Sequence, residues 1–314
     1  MVSAEFFIVI PQSRLMPTLR DIKRRIASVK STQQITRAMK LVAAAKLRRA
    51  QERVTEARPY CRIMGEMVSD LALRSPREMH PLLRGPVSDG GDGTTSKLLL
   101  VITGDRGLCG AFNSNIIRRS LDLLRADQDN PDVSLVLIVV GRKARDFFRR
   151  RGPVAIRSEY VNFFDKLAFS HAAQIGQDVA SAYASNEVDQ VQLIYNEFRS
   201  AASQRVVVET LLPIQSDAGS DEAAGVEYLF EPSPKAILEA LLPRHVEVQV
   251  YRALIESLAA EYGARMAAMD NATKNASEMI DLLTIQFNKA RQERITKELL
   301  EIVSGAEALR QAGK

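Results

Sequence analysis

The sequence of 314 residues contains no Trp, only two Cys and three His, and aromatic residues make up 6% of it. Cys61 and Cys109 lie far apart without CxxC spacing, and His80, His171 and His245 are as scattered, so neither a disulfide framework nor a zinc site can be read. A reducing compartment is the default for such cysteine usage. Long apolar runs are missing as well. Leu98 to Ile102 and Leu135 to Val140 are strand-length, against the roughly 20 residues that a membrane helix needs, so membrane contact is expected only through a partner. HExxH and GxxxxGK[ST] patterns and a nucleophile elbow are absent, and no carboxylate pair stands out from the helical surface charge. No catalytic constellation is found, and neither a cofactor nor a metal is implied.

What is present is 46% hydrophobic residues, enough for a real core, and 26% charged residues. With so few aromatics, that balance favours long helices over a β architecture. The net charge of +5 is concentrated at one end. From Thr18 to Arg58 there is neither Pro nor Gly, Thr18 is a plausible N-cap with Asp21 three residues on, and Pro59 marks an expected stop or kink. Leu19, Ile22, Ile26 and Val29, then Ile35, Met39 and Val42, step by three and four. Ala43, Ala44 and Ala45 offer a slim face to another helix. Twelve Lys and Arg stand against Asp21, Glu52 and Glu56 in this stretch, a net +9 that exceeds the excess of the whole chain. After Pro243 the same logic returns. Ile255, Leu258, Tyr262, Met266, Met269, Thr273, Ala276, Ile280, Leu283, Phe287 and Ala290 form a coiled-coil seam. Unbroken, that helix would run for roughly 100 Å, with Gly263 and Gly305 as its weak points. An ordinary helical bundle on a core is the alternative for both ends; their length favours a hairpin of two helices.

The start, MVSAEFFIVIPQSRLM, fits a secretory signal poorly, and a regular helical pattern follows Met16-Pro17-Thr18 at once, so translation is expected to begin at Met16. The middle has another texture. Lys97 to Ile102, Val133 to Gly141, Pro153 to Glu159, Val188 to Asn196 and Gln204 to Leu212 read as strands. Ser114 to Ala126, Arg142 to Arg150 and Phe164 to Ser185 read as helices between them. This alternation predicts an α/β fold with right-handed crossovers and a mostly parallel, Rossmann-like sheet, its last two strands forming a hairpin. The expected organisation is an extension (1–16), an N-terminal coiled-coil helix (17–75), a loop (76–96), the central α/β domain (97–215), a second loop (216–231) and a C-terminal coiled-coil helix (232–314).

Thr103 to Gly110, TGDRGLCG, follows the first strand and opens a helix, where a doubly wound sheet would cradle a phosphate. Its spacing is GxxGxxG, not GxGxxG, so a tight strand-to-helix turn is the favoured reading over nucleotide binding. Arg106 beside Cys109 is a cation that would lower a thiol pKa, but a small structural residue is the better reading of Cys109. The basic helix carries the electrostatic footprint of a nucleic-acid binder without the interleaved aromatics or a known module. A basic rod inside an acidic protein sleeve is an equally physical use.

Four ordered blocks make the pattern specific: Leu19 to Ile26 (LRDIKRRI), Ile35 to Ala43 (ITRAMKLVA), Gly104 to Gly110 (GDRGLCG) and Asn288 to Leu299 (NKARQERITKEL). Together with Arg265-Met266 and Asn271-Ala272-Thr273, they resemble the gamma subunits of F-type ATP synthases from about Met16 to Leu309.

The resemblance implies a non-catalytic rotor shaft. The two terminal helices would form an antiparallel coiled coil inside a ring of three alpha and three beta subunits, and the α/β domain would be a foot on the membrane ring of c subunits that also carries epsilon. Catalysis would belong to beta. No nucleic acid is implied, and the location would be the cytoplasmic face of a bacterial plasma membrane, reached only through the membrane sector. By resemblance, Met39 and Lys40 match the shaft near the acidic lever of beta, Arg291 and Gln292 its catch-loop contact, and Arg265, Thr296 and Glu298 match positions tied to coupling. Tyr228 and Glu231 are candidates for the epsilon and c-ring surface. The chain departs from the family in Glu293-Arg294, an opposite-charge pair where smaller residues are common. It also lacks the cysteine-paired redox loop of photosynthetic relatives.

Overall fold

A computed structural model describes residues 18–85, 95–128, 130, 132–152, 154–201, 203–214 and 233–312. Its elements are α1 (Leu19–Arg74), β1 (Thr95–Ile102), α2 (Phe112–Gln128), β2 (Val133–Val140), α3 (Arg142–Arg151), β3 (Ile156–Tyr160), α4 (Phe169–Ala184), β4 (Gln190–Phe198), β5 (Gln204–Leu212) and α5 (Pro234–Ala312). They form two compact units, one of residues 39–270 and one that joins the described residues up to 38 to those from 271 onward.

In the larger unit the strand order is β3-β2-β1-β4-β5. β2, β1 and β4 run parallel, β3 is parallel to β2, and β5 closes one edge antiparallel to β4. The strand–helix alternation thus gives the expected α/β fold with a terminal hairpin. Leu98 to Ile102 and Leu137 to Val140 are wholly buried, as the central strands of a sheet covered on both faces must be. Asp189 ties β1 to β4 twice: its carboxylate accepts from the Ser96 N–H at 2.7 Å, and its own N–H donates to the Ser96 carbonyl.

The elements depart from the sequence expectation at several points. Pro59 neither stops nor ends α1, which continues to Arg74. A proline inside a helix costs about 3 kcal/mol; Met64, Val68 and Leu71, buried at spacings of three and four, offset it by packing into the core. Likewise α5 begins at Pro234, the first-turn position that proline suits, and runs through Pro243. The stretch expected as one helix from Phe164 is a 3-10 turn, Phe164–Lys166, followed by α4. Strand β3 starts at Ile156 rather than Pro153, and β4 is shifted two residues later than expected.

Residues 253–263 of α5 are buried on every side, so this part is a core helix of the larger unit. Here α1 and α5 run antiparallel: Lys40 pairs with Asp270 at 2.6 Å, while Lys46, one and a half turns on, lies 5.4 Å from the Tyr262 ring. Gly263 does not break the helix; a Cβ there would lie 3.1 Å from the Ala201 carbonyl oxygen.

In the smaller unit, Thr36 and Thr273 share a hydrogen bond of 2.8 Å. Ala276 and Leu283 are buried with Ile280, Phe287 and Ala290 half-buried, the three-four seam expected of α5. On α1 the stripe is slightly rotated. Ile22 and Thr36 are buried and, in the larger unit, so is Ala43, whereas Ile35 and Val42 are 57% and 58% exposed. Small residues at the seam let the backbones approach, which turns their larger neighbours outward.

Two glycines on these elements should behave oppositely. Gly141 has φ +91 and a Cβ would lie 2.2 Å from the Thr103 carbonyl oxygen, so Gly141→Ala should destabilise by about 2 kcal/mol or more. Gly65 lies inside α1 with nothing within 4 Å of an added Cβ, and Gly65→Ala should stabilise by about 0.5–1 kcal/mol. Urea titration of the purified chains reads both, and a stable Gly141→Ala protein would refute the backbone assignment.

Candidate functional site

The turn from β1 to α2 is built from its side chains inward. Thr103 Oγ1 accepts from the Ala144 N–H at 2.9 Å, and Asp105 accepts from the N–H groups of Arg142 and Asn162, both at 3.0 Å. The first turn of α3 is thereby capped by this loop. Asn113 Oδ1 accepts from the Gly104 N–H at 2.9 Å. Leu108 and Gly110 take φ values of +62 and +57, a conformation that glycine tolerates and leucine holds at a cost. Leu108 is nonetheless 64% exposed.

The crevice at the C-terminal ends of β1 and β4, where a doubly wound sheet binds its ligand, is occupied by α5. The Glu261 carboxylate lies so close to Gly104 that a Cβ there would sit 2.8 Å from it. Arg265 donates to Glu261 Oε1 at 2.5 Å and to the Gly107 carbonyl at 3.3 Å. Burial pushes the Glu261 carboxyl up, against the pull of Arg265. A carboxyl side chain thus fills the place where an anion would dock, and TGDRGLCG forms a strand-to-helix turn packed against α5. Cys109 is buried, and its thiol is pushed up by burial and by Glu261, the reverse of the lowering that Arg106 suggested. Among the described residues no group of three His, Cys, Asp or Glu gathers to hold a metal.

The matched residues fall into three places. Met39 and Lys40 are half-buried on α1, with Lys40 engaged by Asp270. Arg265 is turned inward to Glu261 and Gly107, with only 12% of its side chain exposed. Arg291, Gln292, Thr296 and Glu298 are exposed on α5 beyond the seam, where Arg294 pairs with Glu298 at 2.8 Å. Tyr228 and Glu231 lie outside the described residues. Further along α1, Asp165 receives Lys46 at 3.0 Å and Arg106 at 2.8 Å, and the Lys46 hydrogen bond holds its carboxyl below the usual range.

Sequence reasoning missed Glu261 and a second buried cluster, because acids on a helix read as surface until the fold covers them. Arg252 donates to Tyr195 Oη at 3.0 Å and to Glu209. Near it Glu256 is 5% exposed. Burial raises its carboxyl above the usual value, opposed by Arg252 and Arg58 and reinforced by Glu197 and Glu209.

These features define a class: a protein of two very long terminal helices with a doubly wound α/β domain set between them. The family described as ATP synthase matches residues 18–309. The ATP synthase gamma chain of Chlorobaculum parvum is 47% identical over 298 residues, spanning 94% of this chain and 100% of that one. The gamma chain of Pelotomaculum thermopropionicum is 49% identical over 296 residues with the same coverage. Among solved structures, a chain of the central stalk and c-ring of Tetrahymena thermophila mitochondrial ATP synthase superposes with a TM-score of 0.58 at 29% identity, covering 76% of this chain and 99% of that one. The chain belongs to the ATP synthase gamma chain family.

The raised Glu256 carboxyl makes stability depend on pH in a definite sense. The unfolded chain releases that proton near its ordinary 4.5 while the folded chain retains it to higher pH, so stability is lost as pH rises toward the folded value. Glu256→Gln, which mimics the neutral acid, should therefore show a flatter decline in urea midpoint between pH 5 and pH 8. Parallel curves for the two proteins would show that Glu256 is ionised in the fold.

Proposed function

We propose that this chain is the central shaft of a rotary ATP synthase, turning inside a ring of three alpha and three beta subunits and coupling ion flow through the membrane sector to ATP synthesis or hydrolysis at beta. Membership of the gamma chain family and the central-stalk neighbour support this reading. The observation that carries it is on α5. Its buried seam ends at Ala290, yet the helix continues to Ala312, and residues 291–306 with described side chains are exposed, including Ile295, Leu299, Leu300, Ile302 and Val303. So many apolar side chains in water call for a surrounding protein sleeve.

The chain contributes no catalytic group. Its work is differential contact: a shaft that presents different side chains to each beta subunit at each angle acts as a ligand with unequal affinity for the states of the site, and unequal affinity is what coupling requires. Arg291, Gln292, Thr296 and Glu298 are the polar contact residues on this exposed length, and Met39 and Lys40 face the acidic lever of beta. Solvated charged contacts exchange partners readily because each is worth little on its own. The α/β domain, residues 97–215, forms the foot on the c ring and carries epsilon; Tyr228 and Glu231, which lie outside the described residues, are candidates for that contact. The complex stands on the cytoplasmic face of a bacterial plasma membrane, this subunit being peripheral and helping to regulate ATPase activity and proton flow.

Mixing the purified chain with its alpha and beta partners should give one complex with a single copy of this chain and a marked rise in steady ATP hydrolysis. Absence of association would overturn the proposal. Arg291→Ala with Gln292→Ala should lower turnover by about tenfold while the complex still assembles. Unchanged turnover and synthesis rates in the double variant would remove both from the contact surface.

A further inference from the structure

The sequence block GDRGLCG is held between two anchors. On the sheet side, Thr103 and Asp105 cap α3, and Asn113 grips the Gly104 N–H. On the other side stands α5, through Glu261 and Arg265, while Arg106 of the loop also pairs with Asp165 at 2.8 Å. Gly104 is open enough for the Glu261 carboxylate to press directly on the backbone, and Arg265 reaches from Glu261 to the Gly107 carbonyl. Between these anchors the chain lifts Leu108 into solvent in a left-handed conformation. An apolar side chain that is 64% exposed and held at φ +62 gains little from this chain's own packing. Strained backbone of this kind persists where its surroundings over-determine it, and it concentrates at working surfaces.

Resting on the shaft reading, we propose that Glu261 is a positioning residue for coupling: with Arg265 it locks the Gly104–Gly110 loop onto α5, so that Leu108 is carried round as a rigid contact against the surrounding ring. The carboxylate acts in two ways. It aligns the Arg265 guanidinium by a charge-assisted hydrogen bond, which leaves a second guanidinium N–H for Gly107. It also fills the crevice at the end of β1, which leaves the loop no room to collapse inward. Replacing Glu261 by Gln keeps an acceptor for Arg265 but removes the charge, so the guanidinium is held less firmly and the loop yields under load instead of transmitting it.

The test uses membranes containing the whole complex, with subunit content measured, and reads ATP-driven proton pumping per ATP hydrolysed. Glu261→Gln and Leu108→Ala should each lower that ratio by at least about threefold, and the double variant should be no worse than the lower single variant, since both act through one loop. A ratio equal to wild type in assembled Glu261→Gln complexes, or fully additive losses in the double variant, would overturn the proposal. If Glu261→Gln complexes do not assemble, Gly104→Ala serves in its place, because its Cβ displaces the carboxylate. Failure of both to assemble would make Glu261 a folding residue and likewise overturn it. A failure of the shaft reading itself is distinct: the wild-type chain would then support no pumping.

Discussion

Burial of the middle of α5 is the constraint around which the larger unit is arranged. Over residues 253–263 a helix has no solvent face, so its side chains are packed against the rest of the larger unit. Apolar ones pack at about 25 cal/mol per Å² of surface removed from water. The polar ones cannot be left alone, since an unpaired buried charge costs far more than a packed methylene contributes. Glu261 is satisfied by Arg265, and Arg252 is satisfied by Tyr195 and Glu209. Glu256 is the acid that burial drives toward its neutral form. The charged pairs thus mark where the helix is held, and the apolar packing supplies the energy of holding it.

The same helix later loses its partners. Through the seam up to Ala290 it shares its face with α1, and beyond that both its apolar and its charged side chains stand in solvent. A free-standing helix is stable only marginally on its own propensity, and here it is helped by ion pairs at spacing four such as Arg294 with Glu298 and Lys297 with Glu301. Such pairs sit on a helix without fixing it to anything. That leaves the exposed length free to make contacts that form and release, which suits a turning shaft better than a locked interface would.

The α/β domain shows how a fold can keep its topology while its usual ligand position serves another purpose. The strand order and the glycine-rich turn after β1 belong to the doubly wound type. The crevice, however, is taken by Glu261 from α5, and the glycine that would let a phosphate approach instead lets a carboxylate approach. Function here is read from the occupant of the crevice and not from the fold, which alone would have pointed to nucleotide chemistry.

Much of this was legible in the linear sequence. Apolar runs of strand length placed the five strands and their hairpin to within a few residues, and the three-four step placed the seam of α5 up to Ala290, because both are properties of neighbours along the chain. The same local reading failed where the decisive partner is distant. Pro59 and Pro243 are helix breakers by themselves, and only the core against which their helices pack outweighs them. Ile35 and Val42 look like seam residues until the close approach of a second helix makes Thr36 and Ala43 the better fit. Glu261, Arg265 and Glu256 are ordinary helix charges in sequence; it took the tertiary structure, by removing their water, to make them a lock and a buried acid. The sequence by itself determined which segments are helix and which strand, since local sterics and hydrophobic period settle that. Which charges lose their water, which glycine admits a carboxylate and which leucine is left in solvent were decided only by tertiary contacts, some of them, as between Gly104 and Glu261, joining residues far apart in the chain.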